Sequence, residues 1–313
     1  MGGPDGPPGP AGPYALIRPR MGTRNVLVPA GSRRGALAGM ALFTRSKPAA
    51  LAVQWGWYSA VALLGPRVVP GDRVSWAPPG GPARWRALAA RLGPFDDLAL
   101  YERPQASRTG LAAVLLREGK PVGFLKLRED PAELDREHKA VAAIVHGRPE
   151  TFRLPRVVER GETAGWHWMV MEAMPPRPAG PARRVALPRL VAEVQRHLEP
   201  ALHRPPGTPA HWRPMHGDLT PWNLRRCGPG LPWLIDWEDA AWAPPGADLV
   251  YHAVTSAAVL GRRPRTAPGP GHVEAAEFWL ERVTGRAGDD HDAPLTARLA
   301  AELRSMTGPR VLS

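Results

Sequence analysis

From about residue 97 to residue 172 the chain carries five strand-like apolar runs with one helix among them, and beyond a proline-rich break at 175–181 its apolar residues recur at helical spacing. Few folds accept that order. Leu98–Glu102 and Gly110–Leu116 flank a polar loop, Arg103–Thr109, and Val122–Leu127 follows the turn Gly119-Lys120-Pro121. A helix starts next: Asp130 is placed to cap it, Pro131 stands at its first position, and Glu133 completes a capping box. It should run to about Val145, with Leu134, Val141 and Val145 on one face, and stop at Gly147. Arg156–Glu159 and Trp166–Glu172 are the last two strands, and Leu187, Leu190, Val191, Val194 and Leu198 mark a helix after the break. The expectation is an α+β chain of two lobes. A five-stranded antiparallel sheet with one helix is joined, by a hinge near 172–180, to a mostly helical second lobe.

The first third of the chain carries no chemical motif. Residues 1–13 are Gly/Pro-rich and expected to be disordered, and residues 14–96 form an extension of unassigned role ahead of lobes spanning 97–173 and 174–313. Within the extension Val26–Val28 suggest a short strand, Gly35–Phe43 an apolar helix or strand, and Trp85–Leu92 a helix ended by Gly93-Pro94. No charge occurs from Pro48 to Pro66, nearly enough to span a bilayer. That stretch also holds Pro48, Gln54, Gly56, Ser59 and Gly65 and is rich in Ala, so a buried element is expected and a membrane partner is not.

Charge and cysteine content narrow the function classes. The net charge of +12 invites a polyanion, but the basic residues are spread along the chain with no long Lys/Arg run, so no nucleic-acid partner is expected. A nucleotide triphosphate would use some of that charge. Only four of the 41 basic residues are Lys (Lys47, Lys120, Lys126 and Lys139), and one of them, Lys126, sits in the middle of an apolar strand. Cys227 is the sole cysteine, which excludes a disulfide framework and a cysteine zinc site. The N-terminus lacks the basic-then-apolar order of a secretory signal and the residue required for myristoylation, so a cytoplasmic location is expected.

The chemistry concentrates in His216-Gly217-Asp218-Leu219-Thr220-Pro221-Trp222-Asn223-Leu224, followed by Leu234-Ile235 and Asp236-Trp237-Glu238-Asp239. An Asp and an Asn five residues apart across a loop, then a second Asp at a strand end, suit metal-assisted phosphoryl transfer. Asp218 is placed to accept or orient the proton of an attacking hydroxyl, while Asn223 and Asp236 offer hard oxygens to Mg2+. Upstream, alternation puts Lys126 on the strand face of Val122 and Phe124, and Glu137 falls in the middle of the next helix, eleven residues later. A Lys–Glu pair of that kind holds an ammonium over nucleotide phosphates.

On these residues the chain resembles the aminoglycoside phosphotransferase/choline kinase family. His216–Asn223 matches the His-Gly-Asp pattern with Asn five residues on, Ile235-Asp236 matches the metal-binding segment, and Lys126, Glu137 and Met169–Glu172 match in order and approximate spacing. The resemblance covers about residues 97–260 and implies a protein-kinase-like fold and ATP as phosphoryl donor. It implies Asp218 as base, His216 as support of the catalytic loop, Asn223 and Asp236 as Mg2+ ligands, and backbone from Glu172 to Met174 holding the adenine. The acceptor would be a hydroxyl of a small metabolite or aminoglycoside-like molecule, and neither its identity nor the oligomeric state is implied. Arg103–Gly110 carries one glycine where protein kinases have three, which counts against a protein kinase.

Other readings stay open at this point. The kinase-like domain could bind nucleotide without transfer, or could act on a protein or lipid-linked acceptor. His216, Asp218 and Asp236 could form a metallohydrolase set, though no second His cluster supports it. Glu238, Asp239 and Asp248 could attract a cationic substrate, but Asp248 is expected to brace the helix from Ala247 to Leu260. Asp289-Asp290-His291-Asp292 reads as a helix cap, and Trp237 and Trp242 as anchors that could also line an acceptor pocket.

Overall fold

The computed structural model describes residues 13–18, 25–43, 45–102, 110–262, 272–285 and 293–307. The tail over 1–12, the loop Arg103–Thr109 and the acidic run Asp289–Asp292 therefore lie outside the described residues. Two compact units emerge, one from Met1–Leu134 with Pro155–Ala179 and one from Asp135–Leu154 with Gly180–Ser313.

The first unit is built on an antiparallel sheet of eight strands, against the five expected. Its elements run β1 (Tyr14–Ile17), β2 (Asn25–Pro29), α1 (Arg33–Ala41), α2 (Pro48–Leu64), β3 (Asp72–Val74), α3 (Gly81–Ala89), β4 (Asp97–Glu102), β5 (Gly110–Arg117) and β6 (Lys120–Arg128). After α4 (Ala132–Gly147), β7 (Val157–Thr163) and β8 (Trp166–Met171) complete it in the order β3-β1-β2-β4-β5-β6-β8-β7. The three additional strands come from the extension: β2 pairs with β4, β1 with β2, and β3 with β1. Tyr14 locks the addition by donating its hydroxyl to Asp97 at 3.0 Å.

Strand alternation sorts the two faces of this sheet. Leu98, Leu100, Leu111, Ala113, Leu115, Leu125 and Leu127 face α3, whose Trp85 and Leu88 are buried against them. Ala99, Val114 and Leu116 point the other way, to Ala38 of α1, with Phe124 beside them. Lys126 follows Phe124 by two, opposite Ala112 and Met169, and only 5% of it is exposed.

The uncharged stretch departs most from expectation. It forms α2, in which only Gln54 and Val61 are buried. Val61 joins a core with Val26, Val28 and Met40, while the Gln54 amide donates to the Met40 and Phe43 carbonyls at 2.8 and 3.0 Å. One narrow side thus packs inward and the rest meets solvent, where a buried element was expected.

In the second unit α4 contributes from Asp135 onward, followed by β9 (Gly180–Pro181), α5 (Leu187–Leu198), β10 (Arg213–Met215), β11 (Leu224–Arg226), β12 (Trp233–Leu234) and β13 (Ala241–Ala243). The helices α6 (Ala247–Leu260), α7 (His272–Gly285) and α8 (Ala293–Thr307) finish it, packed around Val250, Val254, Trp279 and Leu303. At the start of α4, Asp130 accepts the Ala132 N–H at 2.9 Å as expected of a cap, and Glu133 pairs with Arg128 at 3.2 Å. The fold class read from the sequence, α+β with an antiparallel sheet and a mostly helical remainder, is the one observed.

Candidate active site

The catalytic-loop candidates are held from below by α6. Asp248, in its first turn and 1% exposed, accepts the backbone N–H groups of His216 at 2.8 Å and Gly217 at 3.1 Å. One turn further along, His252 hydrogen-bonds to the Leu219 backbone. Gly217 adopts φ 85°, and a Cβ there would meet the Asp239 carbonyl oxygen at 2.0 Å, so only glycine fits this turn. His216 is fully buried, lies 4.4 Å from the Trp237 ring, and accepts the Asp218 backbone N–H on Nδ1 at 3.1 Å. Its place is that of a loop support.

Within the loop, Asn223 turns back on Asp218. Its Nδ2 donates to the Asp218 carboxylate at 2.6 Å and to the Asp218 carbonyl at 3.0 Å. With both amide protons so used, Asn223 keeps its Oδ1 as a hard acceptor. Asp218 itself is half-buried, so its carboxylate remains reachable.

Asp236 is brought to Asn223 by a hairpin. Leu224 pairs with Leu234, and the Ile235 N–H donates to the Asn223 carbonyl at 3.1 Å, so Asp236 leaves the strand next to Asn223. It does so at φ 71°, a left-handed conformation that costs a non-glycine residue. Carboxylate oxygens of Glu137, Asp236 and Glu238 all lie within 4.8 Å of one another. Glu137 is wholly buried and accepts the Trp237 N–H at 3.3 Å, and the Glu238 carbonyl takes an Arg136 N–H at 2.7 Å. Sequence reasoning assigned Glu137 a role beside Lys126 and left Glu238 open; the structure also sets both carboxylates beside Asp236.

The donor set fits a hard divalent cation. Three carboxylates this close, two of them almost fully buried, repel one another unless a positive charge stands among them. Oxygen-only ligation of that kind suits Mg2+.

The remaining candidates belong to the first unit. Lys126 is the buried β6 residue described above. Glu172 places its carboxylate against Arg156, whose Nε donates at 2.8 Å, and its backbone N–H goes to the Arg156 carbonyl at 2.8 Å. The Arg156 guanidinium, helped by the Arg156 backbone N–H, holds the Glu172 carboxyl below the usual range. Met174, two residues on, is half-buried. Trp237 and Trp242 are 0% and 8% exposed, which makes them core anchors.

Asp248 is the residue whose job the sequence left out. A brace for α6 was expected; instead Gly246 stands at the helix start and Asp248 braces the loop at His216 and Gly217. A lone acid opening an otherwise apolar helix was the available signal. Burial pushes its carboxyl up to about 6 against the pull of the two N–H bonds. Its folded value exceeds the unfolded one, so this residue favours folding more as pH falls from about 6 toward 3.8. Burial depresses His252 to about 4, with the opposite sign: its contribution is full above 6.5 and is lost toward 4. The two offset in stability, so the signature belongs in the rate. Turnover is expected to fall as pH drops through about 6, where Asp248 ceases to be a full acceptor for the loop, and Asp248→Asn should flatten that limb. A limb of the same midpoint in wild type and variant would assign it elsewhere.

Comparison with known proteins follows this geometry. Residues 181–288 match the model of the family described as "Phosphotransferase enzyme family". A thermostable mutant of aminoglycoside phosphotransferase APH(4)-Ia, solved with ADP and hygromycin B, is similar at 15% identity and TM-score 0.45 over 71% of this chain and 98% of that one. The GDP complex of an aminoglycoside 2'-phosphotransferase-IIIa mutant is similar at 15% identity and TM-score 0.43, over 70% and 95%. A double mutant of the PknI kinase domain of Mycobacterium tuberculosis reaches 19% identity and TM-score 0.30, over 67% and 96%. Comparison with curated proteins finds no match.

Proposed function

We propose that the chain is an ATP-dependent phosphotransferase that moves the γ-phosphoryl group to a hydroxyl of a small molecule. The observation that carries this reading is the bond from Asn223 Nδ2 to the Asp218 carboxylate at 2.6 Å, on a loop whose hairpin partner delivers Asp236 to a three-carboxylate cluster. The family match over 181–288 contains Asp218, Asn223 and Asp236. The two aminoglycoside phosphotransferases named above were solved with ADP and hygromycin B and with GDP, ligand classes in line with this reading.

In this reading Asp218 takes or orients the acceptor proton, and Asn223 keeps its carboxylate aimed. Mg2+ would be held by Asp236 together with the Asn223 Oδ1 and Glu238, and when bound it supplies charge neutralisation for the phosphate oxygens. Glu137 fixes the turn that carries Asp236 by accepting the Trp237 N–H. Lys126 supplies a cation to the nucleotide phosphates, and the backbone from Glu172 to Met174 serves the adenine. His216 and Asp248 hold the loop in shape.

Acceptor-dependent ADP release across aminoglycosides, amino alcohols and sugars, with Mg2+ present and then chelated, tests the proposal. Release that rises with one acceptor class and stops on chelation is the expected result. Nucleotide binding with no transfer to any acceptor would make the chain a binding module, and transfer that survives chelation would remove Mg2+ from the scheme.

A further inference from the structure

The most exposed apolar feature of the described residues is α2. Its outward residues are Ala49, Ala52, Val53, Trp55, Gly56, Trp57, Ser59, Leu63 and Leu64, with one hydroxyl and no charge among them. Leu63, Leu64 and Val53 are 77%, 70% and 60% exposed, and Trp55 and Trp57 are 41% and 38% exposed. Leaving that much apolar surface in water is costly at roughly 25 cal/mol per Å2, so the face implies a covering partner.

Charge identifies which partner. Between Asp5 and Asp72 the sequence holds eight Arg and Lys residues and no Asp or Glu. Lys47, exposed, immediately precedes the first turn of α2, and Arg67, also exposed, follows its last residue by three. An uncharged, tryptophan-bearing helix with a basic residue at each end fits the boundary between lipid headgroups and acyl chains. Tryptophan adds to the fit, because its ring tolerates an apolar body with a wet edge. A second copy of the chain is disfavoured by the same charges, since two acid-free basic segments would meet face to face. Crossing the bilayer is excluded for this helix by its other side, where Val61 and Gln54 are locked into the protein core, and no described helix is long and apolar enough to span.

We propose that α2 docks the protein on an anionic lipid surface, lying in the plane of the interface with Val53, Trp57 and Leu64 inserted and Lys47 and Arg67 on the headgroups. This assignment is independent of the phosphotransfer reading. Flotation of the full chain with phosphatidylcholine vesicles, and with vesicles that also contain phosphatidylserine, tests it. The protein should float with the anionic vesicles only, with a blue shift in tryptophan emission and release at high salt. Val53→Asp/Leu64→Asp and Lys47→Glu/Arg67→Glu should each weaken partition at least about ten-fold. These positions are exposed, so thermal melts should match wild type and show that the variants fold. No flotation, equal flotation with both vesicle types, or full binding by either variant would overturn the proposal. So would light scattering that finds a lipid-free dimer dissociated by Val53→Asp/Leu64→Asp, which would give the face to a second copy.

Discussion

Asp218→Asn is expected to lower kcat about 1000-fold while nucleotide affinity stays where it was. The substitution is nearly isosteric, and the new side-chain oxygen can still accept from Asn223 Nδ2, now 2.6 Å from the carboxylate, so the loop should keep its shape. On the proposed reading, what disappears is the group that takes the acceptor proton, and a loss of that size corresponds to about 4 kcal/mol of transition-state stabilisation. Nucleotide titration and steady-state rates with the acceptor found by screening measure the two quantities separately. A fall in kcat of less than about ten-fold would reduce Asp218 to a structural partner of Asn223 and remove general-base catalysis from the account.

Asp236→Asn should produce two changes of opposite sign. Removing one of three crowded carboxylates relieves repulsion with Glu137 and Glu238, so the metal-free protein should melt at a higher temperature than wild type. On the proposed reading the same change weakens the hard-oxygen set, so added Mg2+ should stabilise wild type and not the variant. Activity at saturating nucleotide should fall by at least about 100-fold, the order expected when charge neutralisation at a phosphoryl group is lost. Thermal melts with and without Mg2+ are the discriminating measurement. A lower metal-free melting temperature would mean that the cluster is neutralised within the protein and is no cation site.

Much of the site was legible because its residues are close in the chain. The spacing of Asp218 and Asn223 is set by one loop, and Asp236 follows from a strand short enough to see, Leu234-Ile235. The bond from Trp237 to Glu137 was harder to foresee: it spans 100 positions, and no local pattern marks a helix residue that reaches that turn. Asp248 was hidden for the same reason, its partners lying 32 and 31 residues earlier. In the fold, α6 was bounded at Ala247–Leu260 from sequence, since an apolar run with glycines at both ends leaves little choice. The strands β1 and β3 are four and three residues long, and such short runs carry no readable period. For α2 the error had another source. Apolar composition was taken as burial, yet composition records only what a residue prefers, and a lipid surface satisfies that preference as well as a core does.

The sheet order has a consequence for what can be separated from this protein. Because β2 lies directly against β4, a chain begun near residue 90 would lose that neighbour along with β1 and β3. The backbone donors and acceptors of Val26 and Leu27, which now match Tyr101 and Leu100, would be gone, and β4 would offer an open row to any passing strand. Beside it, Leu100 and Leu98 would lose the shelter of Leu27 and Tyr14. The extension is therefore the sealing margin of the sheet, and a chain begun near residue 90 would be sticky without it.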